Sequence, residues 1–375
     1  MKMAEPFASF DELPAEAQEL FDAAGTGCFF SSMPWYRTFA KYAVDAGDRL
    51  RIYCAGAENP DGTLQAILAA MEKTGEAGRF KKRKLTSLSS YYTSLFGPIM
   101  SGADEKKAAA ELARTIASER PRWDEVELRP LDVDAPSFGA LVEGLQGAGF
   151  VVQTFFCFGN WYLDVRGRSF AEYTESLPSV LKNTLSRKRK KLEKSGRAKI
   201  QIVTGGSELE DAIQDYNKVY LASWKKPEPY PEFVPELIRT CAGLGALRLG
   251  LLHVDGQPAA AQFWITLNGT ALIYKLAYNE QYADLSVGTI LTATMMEQAL
   301  NVDRVVTVDY LTGDDAYKKD WMSARRERWG ILAMNPRTVR GAAAIARHVG
   351  GRAAKRFLNS LAKRTWRPQG SPQAA

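Results

Sequence analysis

Only four cysteines and two histidines occur in 375 residues, and no two cysteines form a C-x-x-C pair. Cys28, Cys54, Cys157 and Cys241 stand far apart, so neither a disulfide framework nor a zinc site is indicated, and no metal is expected. Long apolar runs are also missing; none reaches the ~18–20 residues that a membrane-spanning helix needs. The opening MKMAEPFASFDELP carries acids and prolines where a signal peptide needs an apolar core. Acidic residues are absent from one whole region. Residues 331–375 hold nine Lys/Arg and no Asp or Glu; against a total of +6, the chain before them is net −3. The expectation is a near-neutral globular body with a basic tail, cytoplasmic and peripheral on the inner membrane, with no nucleic-acid partner.

What is present supports a folded α/β protein. Apolar residues make up 46% of the chain, enough for substantial cores. This length points to two domains, which we place at 1–160 and 161–335, followed by the tail 336–375. No internal repeat is discernible. Residues 244–321 carry the clearest pattern. Apolar alternation predicts strands at Leu247–Val254, Ala259–Leu267 and Thr270–Tyr278, joined by Asp255-Gly256 and Asn268-Gly269, both tight-hairpin signals. Helical spacing follows through Ile290, Leu291, Met295, Met296 and Leu300, then a strand at Arg304–Tyr310 and the polar run Thr312–Lys319.

The first half mixes helices and strands. Helices are expected at Asp11–Ala24 (closed by Gly25), from Ser32 to Tyr42, and over Lys106–Ser118 and Ala135–Gly147. Strands are expected at Leu50–Ala55, Leu64–Met71, Val126–Arg129, Val151–Phe158 and Trp161–Val165. Between them, Arg79–Lys84 is basic and Leu85–Pro98 is uncharged, aromatic and rich in hydroxyls. It reads either as a cleft wall, with Tyr91 and Tyr92 in contact with substrate, or as a buried strand. Further on, Phe170–Leu177 is a short helix and Ser179–Lys194 a basic one, SVLKNTLSRKRKKLEK, suited to an anionic partner or to a solvated face. Leu209–Leu221 is a helix leading to a loop stiffened by Pro227, Pro229 and Pro231. Tyr220 and Trp224 beside it are further candidates for an acceptor wall. A short strand, Gly330–Met334, precedes the tail. There Ile345, Val349, Ala353, Phe357 and Leu361 share a helical face among basic residues, with Trp366 near the end. That pattern suits an anionic membrane surface, engaged through 337–367.

Val254-Asp255-Gly256-Gln257-Pro258-Ala259-Ala260-Ala261, Tyr274-Lys275-Leu276-Ala277-Tyr278, Ser286-Val287-Gly288-Thr289 and Asp309–Lys318 resemble the acyltransferase domain of the GNAT superfamily, in its BioF2-like or CelD-like branch, related to FemAB proteins. The resemblance is good from about Phe170 to Gly330. It implies two tandem GNAT-like domains, each a mixed, mostly antiparallel sheet flanked by helices, with a basic helical tail. It also implies acyl-CoA as co-substrate and an amine as acceptor. One departure stands out: the usual pyrophosphate loop, Gln/Arg-x-x-Gly-x-Gly/Ala, is replaced by Leu285–Thr289. FemAB relatives use aminoacyl-tRNA instead.

On that footing, Ser286, Val287, Gly288 and Thr289 open a helix whose unpaired N–H groups suit a pyrophosphate, or simply form an N-cap. The resemblance makes the backbone of Lys275, Leu276, Ala277 and Tyr278 the candidate oxyanion donors. Acyl transfer to an amine also needs a base and an acid. Asp309, at the end of the last strand, is the expected base, Tyr317 the acid for the leaving thiolate, and Lys318 an orienting or phosphate-holding cation. His253 is the alternative base, though it shares a strand face with Leu247, Leu249 and Leu251 and reads first as packing. The favoured acceptor is a long-chain amine lipid such as a sphingoid base. An amino sugar in exopolysaccharide synthesis is the alternative, and a non-catalytic module binding an anion such as a cyclic dinucleotide is the third reading.

Overall fold

A computed structural model describes residues 5–56, 63–74, 82–102 and 104–348. Twelve strands form one sheet. They are β1 (Arg49–Ala55), β2 (Ala66–Lys73), β3 (Lys84–Ser87), β4 (Ile99–Met100), β5 (Glu125–Asp132), β6 (Val151–Asp164), β7 (Ala198–Val203), β8 (Leu247–Val254), β9 (Gln257–Leu267), β10 (Thr270–Tyr278), β11 (Thr307–Asp309) and β12 (Ala324–Met334). Their order is β1-β2-β3-β5-β12-β6-β11-β10-β9-β8-β7, with β4 against β2. Only β3/β5 and β10/β11 run parallel; every other pair is antiparallel.

The two halves exchange their last strands. β6 follows β5 in the chain but pairs with β11, and β12 follows β11 but pairs with β5. Between them β6 and β12 pair with each other along eleven positions of β12. Position 160/161, where the sequence reading divides the chain, therefore lies inside one continuous strand. The two strands expected at Val151–Phe158 and Trp161–Val165 are this single β6, because each residue through the junction finds a partner on β12. For the same reason the strand expected at Gly330–Met334 starts earlier, at Ala324.

The helices are α1 (Glu16–Gly27), α2 (Met33–Tyr42), α3 (Glu105–Ser118), α4 (Pro136–Gly147), α5 (Phe170–Glu175), α6 (Ser179–Thr184), α7 (Lys190–Ser195), α8 (Leu209–Leu221), α9 (Phe233–Gly243), α10 (Val287–Glu297) and α11 (Lys318–Trp321). A π-helical turn, Leu185–Arg189, joins α6 to α7, so the basic segment is one continuous helix. Asp11 lies not in α1 but in a separate 3₁₀ turn, Phe10–Glu12, and α1 runs on past Gly25 to Gly27. α9 has no counterpart in the sequence reading. Its Pro235 sits in the first turn, where the missing N–H has no intrahelical role.

The two hairpins form as expected, with positive φ at Asp255, Gly256, Asn268 and Gly269, the pattern of type I′ turns. One face of the sheet carries a core shared by both halves. There Trp35 of α2 meets Phe233 of α9 edge to face at 5.9 Å, and Thr38 bonds Thr240 at 3.0 Å. Each fully buried aromatic of this kind contributes roughly 1.5–3 kcal/mol. The opposite face carries two separate cores, one under α3 and α4, the other under α10. Residues 339–348 are helical. The tail positions Val349, Ala353, Phe357, Leu361 and Trp366 lie outside the described residues. Among the described residues no helix is long and apolar enough to cross a membrane.

Candidate active site

β10 and β11 pair for three rungs only: Thr270 with Thr307, Ala271 with Val308, and Leu272 with Asp309. They then part. A bulge between Ile273 and Lys275 bends β10 away, and Leu311 turns the other chain with φ +55°. Beyond Leu272, the β11-facing edge of β10 has no strand partner among the described residues, and of the expected donors Lys275 and Leu276 line the opening while Ala277 and Tyr278 do not. The opening is a cavity of about 230 Å³, lined by Tyr91, Lys225, Lys275, Tyr310, Asp315 and Lys318 among others.

Two expected catalytic groups hold the loop beyond β11. Asp309, buried, accepts from Asn160 Nδ2 at 2.6 Å and from the Leu311 N–H at 2.6 Å, and is ion-paired with Arg326. Lys318, also buried, reaches the Thr312 and Gly313 carbonyls and Asp315 Oδ2 at 3.2 Å. Burial pushes its ammonium below the usual lysine range, and Asp315 offsets part of that. Tyr317 is half-exposed and meets Tyr310 edge to face at 5.7 Å. Burial of its hydroxyl, with the charge of Asp315, raises it to about 12.

A helix starts beside Tyr278, the last residue of β10. Ser286 precedes α10 in the left-handed conformation, φ +56°, and its hydroxyl makes no capping bond. The first-turn N–H groups of an α-helix have no intrahelical acceptor, so this end carries open donors and the positive pole of the helix dipole. Gly288 lets the ring of Tyr278 pack close: a Cβ there would stand 3.1 Å from that ring, which itself lies 4.7 Å from that of Trp224. The basic helix reaches the same place, since Lys188 Nζ donates to the Asp284 carbonyl at 2.7 Å. These are features a pyrophosphate needs.

On the other side, Tyr91, Tyr92, Tyr220 and Lys275 gather around one carboxylate, while Trp224 packs on Tyr278. Glu228 accepts from Lys275 Nζ at 2.7 Å, from the Tyr92 hydroxyl at 2.6 Å and from the Tyr91 hydroxyl. Burial alone would raise the Glu228 carboxyl, but the Lys275 charge and these donors outweigh it and bring it to about 2. Lys225, between Tyr220 and Trp224, has no hydrogen-bond or ion-pair partner for its ammonium among the described residues. Its Nζ stands 5.7 and 5.8 Å from those two rings. Burial, and then the positive charge of Lys275, lowers it to about 8. Tyr92 and Phe96 are core residues, and Tyr91 alone of that segment's large aromatics is exposed.

A second cavity, about 320 Å³, opens on the same face beside the first and shares Ser94 and Leu311 with it. Its floor is polar: Asn160 of β6, Asp309 of β11, and Arg326 and Arg328 of β12.

His253 is elsewhere. It sits on β8 with Nε2 2.9 Å from Asp215 Oδ2, separated from β11 by β9 and β10, so it is a packed, paired histidine at a distance from this opening. Sequence reasoning also passed over Glu228, Lys225, Asn160, Arg326 and Arg328. Glu228 had a local signal, a lone acid between Pro227 and Pro229. The missed floor residues, Asn160, Arg326 and Arg328, come from two strands far apart in the chain and had none.

No curated protein sequence matches this chain. Three solved structures resemble it over most of its length. The C-terminal DUF2156 domain of a protein described as a lysylphosphatidylglycerol synthetase, from Agrobacterium fabrum, is 12% identical, with 89% of this chain and 97% of that one covered at a TM-score of 0.53. FemX is 10% identical, with 84% and 95% covered at 0.57. A conserved protein of unknown function from Bacteroides thetaiotaomicron is 9% identical, with 80% and 90% covered at 0.52. These likenesses establish the fold. Residues 179–319, the span that holds the basic helix, the open helix start and the parting strands, match the family described as an acetyltransferase (GNAT) domain.

Proposed function

We propose that the chain is an N-acyltransferase that moves an acyl group from a CoA thioester to a primary amine in the opening between β10 and β11. One observation carries this reading: a gap between two parallel strands has on its wall a lysine, lowered to about 8, with no ion-pair partner among the described residues, and an uncapped helix start lies beside the end of β10. The helix start and the neighbouring basic helix hold the diphosphate. The free edge of β10, at Lys275 and Leu276, supplies N–H donors to the carbonyl oxygen as it becomes an oxyanion.

The proton transfers follow from the titration of these groups. An alkylamine must lose a proton before it attacks. Passing it from ~10.4 to a base near 8 costs about 3 kcal/mol, which is modest for a bound substrate. As the new C–N bond forms and the C–S bond breaks, the thiolate needs a proton back. A thiol titrates near ~8.5, so the Lys225 ammonium is matched to it, whereas Tyr317 at about 12 holds its proton too tightly. Lys225 thus serves as base and then acid, and the second proton that the nitrogen sheds as the amide forms passes to solvent, so the reaction releases one proton from the alkylammonium overall. Asp309 and Lys318 shape the loop, because their polar atoms are already engaged. No covalent enzyme intermediate is needed.

The resemblance to the BioF2-like/CelD-like branch belongs to this proposal. So does the lipid amine, which rests on the basic tail and on a wall at Tyr91 and Tyr92; the burial of Tyr92 leaves that wall one exposed ring. Release of free thiol from acetyl- and long-chain acyl-CoA tests the reading, with sphinganine, glucosamine, amino acids and simple alkylamines as acceptors. Amine-dependent release that scales with amide product supports it. No release with any donor, and no heat on titrating the CoA esters, would overturn it in favour of a non-catalytic module.

A further inference from the structure

The second cavity is built around guanidinium groups that the fold leaves partly unused. Arg326 and Arg328 sit two apart on β12, so their side chains leave the same face of the sheet. Arg326 donates Nε to Asn160 Oδ1 at 2.7 Å and Nη2 to Asp309, while its Nη1 has no partner among the described residues. Arg328 is 2% exposed. Its Nη1 lies 2.7 Å from an Asp132 oxygen, yet neither its Nε nor its Nη1 makes a hydrogen bond. A buried guanidinium with open N–H donors is costly unless something accepts them. Both carboxylates nearby are already committed. Asp309 has three donors, and Asp132 serves Arg328 and the Asp134 N–H.

The cavity that these donors line opens to solvent past the exposed Thr26, Gly27 and Asn268. It meets the transfer opening at Ser94 and Leu311, where Ser94 Oγ and Thr312 Oγ1 stand 2.8 Å apart. We infer that this cavity is an acceptor subsite for an anionic group, and that the acceptor is an amine carrying a carboxylate or phosphate at its other end. Guanidinium N–H donors left without an acceptor suit the oxygens of a carboxylate or a phosphate and give a neutral chain nothing to hold. The anion anchors on Arg326 and Arg328, and the amine passes Ser94 to reach Lys225. This rests on the proposed N-acyl transfer for the direction of the amine, but not for the existence of the subsite.

Calorimetric titration of the full chain without any thioester tests it, using 6-aminohexanoate, phosphoethanolamine and hexylamine. The two anionic amines should bind at least about tenfold more tightly than hexylamine, and inorganic phosphate should compete. The stronger of the two names the anion. Arg326→Lys keeps the charge beside Asp309 but loses the unbonded Nη1 donors and should weaken anionic binding about tenfold. Should that variant fail to fold, Thr26→Trp at the mouth should have the same effect with an unchanged unfolding temperature. Equal binding of all three amines, or anionic binding indifferent to both variants, overturns the subsite even where acyl transfer to neutral amines is found. Anionic binding that depends on Arg326 in a chain that releases no thiol leaves the subsite standing and removes the transfer reading alone.

Discussion

Each half of the molecule contains a strand, a helix and a parallel strand, and the two units have opposite fates. In the second half, β10, α10 and β11 enclose an opening. In the first, β3, α3 and β5 pair in parallel at Lys84/Glu125, Leu85/Val126 and Thr86/Glu127, and the place where they would part is filled. Ser87 Oγ and Ser89 Oγ both donate to the Arg129 carbonyl at 2.7 Å, the Arg129 N–H returns to Ser87 at 3.1 Å, and buried Phe96 sits with its N–H on Pro130. The helix starts differ as well. Asp104 caps α3 with a carboxylate bonded to the Lys107 N–H at 3.0 Å, which satisfies the helix pole with a negative charge. Ser286 offers α10 no such cap. One unit has become scaffold, sealed and self-satisfied. The other keeps the donors and the gap that a thioester needs.

If the open unit does the chemistry, the largest effect belongs to Lys225. Lys225→Met should lower kcat by ~10²–10⁴-fold, the usual contribution of a positioned acid–base group. In the native chain kcat/KM should rise as pH passes through about 8, because the neutral amine is the base. The same variant should be more stable at pH 7. A lysine titrating near 8 when folded and near ~10.4 when unfolded binds fewer protons in the native state between those values. Its destabilising effect is therefore full below about pH 8 and fades as pH rises toward 10.4. Thermal unfolding of both forms at pH 7 and pH 10 reads this directly. A flat pH–rate profile would assign the base elsewhere.

Next is the seal. Phe96→Ala removes a buried ring from the closed unit and should cost about 3–5 kcal/mol of stability. The KM for acyl-CoA should not change, since the first unit takes no part in binding it. A raised KM at intact stability would show that both units contact the donor. Exchanging the caps has a smaller effect. Ser286→Asp places a carboxylate at the α10 start, in a left-handed conformation that Asp tolerates, and should weaken CoA binding up to about tenfold. Asp104→Ala should cost ~1 kcal/mol of stability and leave CoA binding as it was.

The open unit was the more legible of the two. Asp255-Gly256 and Asn268-Gly269 fixed the hairpins, and alternation placed β8 and β10 residue for residue. Those are local signals. The parting of β10 from β11 is not, because it depends on a bulge and on the positive φ of Leu311, a residue type that gives no warning of it. The strand exchange was also hidden. β12 reads from Gly330 onward as an apolar strand, but Ala324–Arg328 looks like a charged loop; its Arg326 and Arg328 are held by Asn160, Asp309 and Asp132 from three other strands, and its Arg325 by Asp314. Asp309 was found for its place at a strand end. Its three donors, one of them 149 residues away in the chain, mark it as a turn-holding group.

The smallest expected effect separates the two assignments of the departing proton. Tyr317 stands in the open unit, half-exposed at the rim beside Tyr310, and was the acid that the sequence favoured. Burial and the charge of Asp315 hold its hydroxyl at about 12, well above a thiol near ~8.5. Giving up that proton to a thiolate is uphill by roughly 5 kcal/mol, and Lys225 offers a route without that penalty. Tyr317→Phe keeps the ring and its contact with Tyr310, so it should change kcat by less than about threefold and leave the limb near pH 8 in place. A hundredfold loss in this variant, with Lys225→Met little impaired, would return the acid to Tyr317. It would also mean that the neighbourhood of its hydroxyl changes when the donor binds, a point that a pH profile of the Phe variant measures independently of turnover at a single pH.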